Sequence, residues 1–234
     1  MATKQPIDAQ EFLNVALPAI RTGDAEKLAS AIGRRWTPAD LCPLLEHGEV
    51  DVRRVVAITL GLVGDRRVLG CLINSLHDPD EQVNHMAEHG LWSIWMRLGS
   101  PQASGPFRQG VAQLTQEAYE LAVASFEEAI AIDPQFAEAH NQCAIAYFLL
   151  NDFEQSIACC RRTIALINNH FGAIAGMGHG YTQLGQLRRA LECYRTAIAI
   201  NPHMPPVARL IARLEERERG SNDSSGIFIT SQTG

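Results

Sequence analysis

Apolar residues recur three and four positions apart along almost the whole chain, with polar positions between them. That spacing predicts amphipathic helices, and clear strand runs are absent. Two helices are expected around Asp8 to Ile20 and Asp24 to Gly33. A stripe of Val52, Val56, Leu60 and Val63 returns 31 residues later as Val83, Ala87, Leu91 and Ile94, and Leu41 and Leu45 map onto Leu72 and Leu76. Beyond residue 102 the period lengthens to 34: Tyr147 pairs with Tyr181, Ile164 with Ile198, Ala165 with Ala199 and Leu166 with Ile200. Three repeats result, Ala103 to Phe136, Ala137 to His170 and Phe171 to Met204. Val207, Leu210, Ile211 and Leu214 carry the pattern into a further helix, Pro205 to Arg219, with Arg209, Arg213, Glu216 and Arg217 elsewhere on it.

The eighth position of the three repeats holds Gly110, Ala144 and Gly178, and the twentieth holds Ala122, Ser156 and Ala190. Small side chains there let two antiparallel helices touch. Phe126 and Tyr194 fall in register, and Pro134 and Pro202 stop the second helix of their repeats, because proline cannot continue the helical ladder. These residues resemble the tetratricopeptide repeat (TPR), a helix pair of 34 residues. Asn168, Gln113 and Cys160 depart from that pattern without breaking a helix. In the first hundred residues, Gly48 to Arg54 followed by Ala57, Leu60, Gly61 and Gly64-Asp65 resembles a short HEAT-type repeat, with Asp78 to Val83 as the corresponding turn. The whole is similar to bacterial-type proteins that join HEAT-like hairpins to TPR repeats. The resemblance implies an all-α fold, an α-solenoid wound as a right-handed superhelix of antiparallel helix pairs, with about thirteen helices. The expected domains are HEAT-like repeats over 1–101, three TPR repeats with a capping helix over 102–219, and a flexible tail over 220–234. Gly99 to Pro106 is the join.

Composition narrows the function. The chain has 234 residues, 46% hydrophobic and 20% charged, enough to bury a core. A net charge of -6 argues against a general nucleic-acid binder. No apolar run is long enough to span a bilayer, and Met1 to Arg21 lacks the features of a secretory signal, so a cytoplasmic protein is expected. The six cysteines (Cys42, Cys71, Cys143, Cys159, Cys160, Cys193) form no C-x-x-C pair and read as small buried thiols in a reducing compartment. From Gln102 to Cys160 there are eight acids and one arginine; from Arg161 to Arg219 there are nine arginines and four glutamates. The repeat array is therefore acidic at one end and basic at the other.

Chemistry-bearing motifs are sparse. His85-x-x-Glu88-His89 matches the inverted zinc-protease string and puts both histidines on one helix face, but a third ligand is not evident. The glycine-rich run Gly172 to Gly180 lies in a repeat's first helix, where glycines permit tight packing, and is not a phosphate cradle. No metal, cofactor or catalytic residue is expected. In the TPR family the first helix of each repeat lines a concave groove. The corresponding positions are Phe107, Val111 and Leu114, then Asn141, Ile145, Phe148 and Leu149, then His179 and Gln183, with Arg209 and Arg213 from the capping helix. Such a groove suits a peptide or partner helix with apolar anchors. Family members that grip a C-terminal carboxylate use basic side chains where this chain has Phe107, Val111, Gln142, Gly172 and Gly176, so that ligand is not expected. The expected function is a non-catalytic scaffold or adaptor that binds protein and neither nucleic acid nor membrane. The rival expectations are an enzyme-accessory or lyase-like protein of the HEAT-like bilin lyase type and, more distantly, a zinc hydrolase. Ser221 to Ser225 reads as a polar linker, and Gly226 to Thr230 as an apolar cluster. That cluster is expected to compete for the groove, to add to a sheet edge, or to have no role.

Overall fold

The computed structural model describes residues 6–225, with backbone alone at 218 and 220–225. Among these residues there are twelve α-helices and two 3₁₀ segments, with no strand. They divide into two compact units. One runs to Pro106 and takes in Glu128–Glu138; the other holds Phe107–Glu127 and the described chain from Ala139.

In the first unit, α1 (Ala9–Thr22) and α2 (Ala25–Gly33) start where aspartates cap them. Asp8 accepts from the Gln10 amide and Asp24 from the Lys27 amide, satisfying donors that a helix start leaves unpaired. Gly23 ends α1 in the left-handed region at φ 67°, as helix C-termini favour. Pro38–Glu46 is a 3₁₀ segment, where Pro38 and Pro43 remove two amide donors. α3 (Val50–Val63), a 3₁₀ turn at Arg66–Val68, α4 (Leu69–Ser75) and α5 (Glu81–Arg97) complete the set.

Most of the residues that repeat at 31 share one role, Val63 being only half-buried. Val52, Val56 and Leu60 on α3 and Val83, Ala87, Leu91 and Ile94 on α5 are all fully buried. The two helices approach through glycine: a Cβ on Gly61 would stand 2.7 Å from the Gly90 Cα, so no side chain fits. Two arginines opening α3 then fork onto the turn before α5. Arg53 donates to Asp78 at 2.7 and 2.9 Å, and Arg54 to Asp80 at 3.0 and 2.7 Å. Arg53 and Asp78 are largely buried together, so each depends on the other to be tolerated there. Cys42 and Cys71 form a disulfide joining the first 3₁₀ segment to α4. This corrects the expectation of six thiols: a spacing of 29 residues carries no motif, and only the fold brings the pair together. Cys143, Cys160 and Cys193 are free and buried, and Cys159 is free and partly buried.

The repeats at 34 each form a helix pair: α6 (Ser104–Thr115) with α7 (Tyr119–Ile132), α8 (Ala137–Leu149) with α9 (Phe153–Leu166), and α10 (Phe171–Gln183) with α11 (Leu187–Ile200). α12 (Pro205–Ser225) follows. The small eighth residue sits against the twenty-fourth. A Cβ on Gly110 would stand 2.6 Å from the Phe126 ring, and one on Gly178 2.6 Å from the Tyr194 ring. In the middle repeat the eighth residue grows to Ala144 while the twenty-fourth shrinks to Cys160, a smaller pair that places no ring at this position. Burial pushes the Cys160 thiol up to about 12, which makes it inert filler rather than a reactive group. Each hairpin turns at its fifteenth residue, where Glu117, Asn151 and Gly185 have φ of 60°, 61° and 71°. The next amide in each case reaches back to Gln113, Tyr147 or Tyr181 at 2.9 Å. A further contact recurs at a separation of 20: Tyr147 donates to Glu127 at 2.7 Å, Arg161 to the Tyr181 hydroxyl at 2.7 Å, and Arg195 to Glu215 at 2.6 Å. Within the second unit, one rung therefore ties each repeat's second helix to the helix that opens the next.

α12 runs six residues past the expected end at Arg219, through the stretch expected to be a linker. Ser, Asn and Asp are poor helix formers, but adding residues to an anchored helix gains a bond for each one fixed. The apolar cluster Gly226 to Thr230 lies outside the described residues.

Candidate peptide-binding face

The predicted groove residues separate into three classes. Phe107 is 3% exposed and packs its ring on Phe126, with centroids 5.9 Å apart; Asn141 is likewise buried. Both belong to the packing rather than to an open surface. Phe107 does so because the Gly110 below it leaves room for the Phe126 ring to come close. Val111 and Leu114 are half-buried. The open apolar positions are on α8: Ile145 is 41% and Leu149 42% exposed, with half-buried Phe148 between them. Positions 145, 148 and 149 share one face of a helix, so the three make a continuous apolar strip.

Phe148 is held from both sides. Its ring lies 5.5 Å from Phe153 and 6.3 Å from His179, centroid to centroid. His179 continues the row, 5.3 Å from Tyr194, with its Nδ1 2.8 Å from the Tyr194 hydroxyl. That hydroxyl also meets Thr182 Oγ1 at 3.0 Å, and the Thr182 hydroxyl reaches the Gly178 carbonyl at 2.9 Å. Burial holds His179 below the usual imidazole range, so it is neutral at pH 7. The chemistry of this stretch is apolar and aromatic, running from half-buried Phe148 and His179 to the fully buried Tyr194 ring, with Gln183 exposed beside it.

Arg209 and Arg213 on α12 are exposed. They line a shallow concavity with Pro206, Leu210 and Ala212, which the groove positions read from the sequence left out. The period itself marks this place: shifting Gly178 by 34 gives Ala212, so α12 carries the small eighth residue of a repeat's first helix.

The remaining candidates fall elsewhere. His85, Glu88 and His89 are on α5, His85 and His89 exposed. Among the described residues no group of three His, Cys, Asp or Glu side chains is arranged to hold a metal ion. The glycines of α10 are contact points: Gly178 faces Tyr194, Gly180 faces Ile157 and Gly176 faces the Cys160 sulfur. Among the described residues no helix is long and apolar enough to cross a membrane.

Residues 113–151 match a family model described as TPR repeat, and residues 173–204 one described as tetratricopeptide repeat. The chain is similar to a TPR repeat-containing protein of Rhizobium etli, 25% identical over 95 residues, which are 41% of this chain and 47% of that protein. The match thus spans about half the length of that relative. Among solved structures, the first TPR domain of Spaghetti (RPAP3) bound to the HSP90 peptide SRMEEVD superposes with a TM-score of 0.50 at 20% identity, covering 52% of this chain and 97% of that one. The Sgt2 TPR domain from Aspergillus fumigatus gives 0.51 at 16% identity, covering 53% and 84%. Family models and fold neighbours agree with the helix pairs and their 34-residue register: residues 113–151 and 173–204 are tetratricopeptide repeats.

Proposed function

We propose that the protein is a non-catalytic interaction adaptor that binds a peptide or partner helix along the first-helix face of its TPR repeats. The observation that carries this reading is the strip Ile145, Phe148 and Leu149. Two large aliphatic side chains stand more than two-fifths exposed on either side of a ring fixed by its neighbours. Exposed apolar surface on a rigid helix is what a partner with apolar anchors buries. The likeness to a TPR domain that was solved with a bound peptide supports the reading. The HEAT-like character of the first hundred residues, and a bacterial-type pairing of the two arrays, belong to the same proposal. They are supported by the 31-residue period and by the paired Arg–Asp forks.

The test is affinity capture from native lysate with the whole chain and with an Ile145→Glu, Leu149→Glu variant. Both sites are exposed, so the helical circular-dichroism signal is expected to stay native. Bound partners are expected to be lost. Equal capture by the folded variant rejects the α8 face as the binding surface.

A further inference from the structure

The positions that line the first-helix face recur at 34. The fifth position reads Phe107, Asn141, Ala175 and then Arg209; the ninth reads Val111, Ile145, His179 and then Arg213. Cations enter this register only on α12, where two arginines stand one turn apart, about 6 Å along the axis. Of the other arginines of this half, Arg195 pairs with Glu215, Arg161 reaches Tyr181, and Arg189 reaches Gln186 and lies over the Tyr181 ring, while Arg162 and Arg188 lie on second helices, outside this register. Arg209 and Arg213 make no ion pair among the described residues, although Glu216 lies a turn from Arg213. The floor between them is apolar, formed by Leu210, Ala212 and Pro206. Ala212 is exposed, whereas its counterparts Gly110 and Gly178 are covered by Phe126 and Tyr194.

We propose that this α12 face is a subsite for an acidic residue flanked by aliphatic ones, so that the partner is an acidic, apolar-anchored peptide running from α8 toward α12. The guanidinium pair supplies charge and forked donors for a carboxylate. The apolar floor receives the adjoining side chain, and partial desolvation there strengthens the ionic contact over one in open water. Neighbouring packed helices stand about 10 Å apart. The step from α8 past α10 to α12 is therefore about 20 Å, which an extended segment of about six residues spans. The proposal rests on the groove reading above, and its test separates the two.

Three fluorescein-labelled peptides are titrated with the whole chain by fluorescence anisotropy. They are identical except that leucines are spaced by Glu, by Lys or by Gln. The Glu peptide is expected to bind at least tenfold more tightly than the other two, with an advantage that shrinks as salt is raised. Arg209→Glu with Arg213→Glu is expected to abolish that advantage, and Arg209→Gln with Arg213→Gln to reduce it, while Arg188→Glu with Arg189→Glu leaves it intact. The proposal is overturned by any of three results: no preference for the Glu peptide, a preference that survives the α12 charge reversal, or one lost equally in the Arg188 and Arg189 variant. A second copy of the chain as occupant would appear as a dimer on gel filtration that the α12 reversal dissolves, and that outcome also overturns it. Ile145→Glu with Leu149→Glu distinguishes the readings. Weakened binding of all three peptides supports the groove, whereas an unchanged Glu-peptide preference leaves the α12 subsite standing without it.

Discussion

The pairing of a small eighth residue with the twenty-fourth is the residue-level device that closes the first and third hairpins. It makes Gly178→Ala costly, because the new methyl meets the Tyr194 ring at 2.6 Å. The expected loss is about 2 kcal/mol in denaturant unfolding, from overpacking set against the better helix propensity of alanine. Adding Tyr194→Cys reproduces the Ala144 and Cys160 pair of the middle repeat. A double-mutant cycle is expected to show that the two changes together cost less than their sum. Additive costs would mean that the contact is not what limits the eighth position. Glu117 is a second local test. It holds the left-handed turn that Gly185 fills in the third repeat, and a non-glycine residue there costs about 1 to 2 kcal/mol. Glu117→Gly is expected to raise stability by about 0.5 kcal/mol after the added chain entropy of glycine is deducted. His179 sets a pH dependence of known sign. Its folded value lies below the unfolded one of about 6.5, so the unfolded chain binds the proton first. Stability is expected to fall as pH drops below about 6.5 and to level off below the folded value, and His179→Gln is expected to flatten that slope.

Covalent and ionic ties join elements in the first unit. The Cys42–Cys71 bond closes a loop of 29 residues. Cys71→Ser, compared without reductant, is expected to cost about 3 kcal/mol, and reductant is expected to remove the difference. Alkylation and mass spectrometry of the unreduced chain should find four free thiols. The Arg54 guanidinium holds the Asp80 carboxyl below the usual carboxylate range, so its stabilisation is present above about pH 4 and is lost as pH falls through the folded value. The stability gap between wild type and Arg54→Met is therefore expected to be widest at neutral pH and to close on acidification. Elements of this kind were unevenly legible in the sequence. Helices α1 and α2 could be read because Asp8 and Asp24 cap them and Gly23 separates them. The three hairpins could be read because Gly110, Ala144 and Gly178 recur at 34. The 3₁₀ form of Pro38–Glu46 could not, since Leu41 and Leu45 keep a helical spacing while Pro38 and Pro43 change the bonding beneath it. The disulfide could not either, because it depends on how that segment lies against α4. The candidate site was half legible. Periodicity placed Ile145, Phe148 and Leu149 on one face, but the burial of Phe107 and Asn141 on the same register is set by neighbouring side chains that periodicity does not see.

At the scale of the molecule, two helical arrays of different period are carried on one chain, and the second presents an apolar strip on α8 beside an aromatic row and a basic last helix. The chemistry of this arrangement is shape, apolar area and charge placed on helices that the Tyr147, Arg161 and Arg195 rungs hold in register. The most direct test of the central claim is amide hydrogen exchange on the whole chain, alone and saturated with a partner captured from lysate. The account predicts that protection concentrates on α8 and α10, over Ala137–Leu149 and Phe171–Gln183, and extends to the start of α12. Protection confined to α1 through α5, with α8 and α10 exchanging as in the free protein, would contradict it.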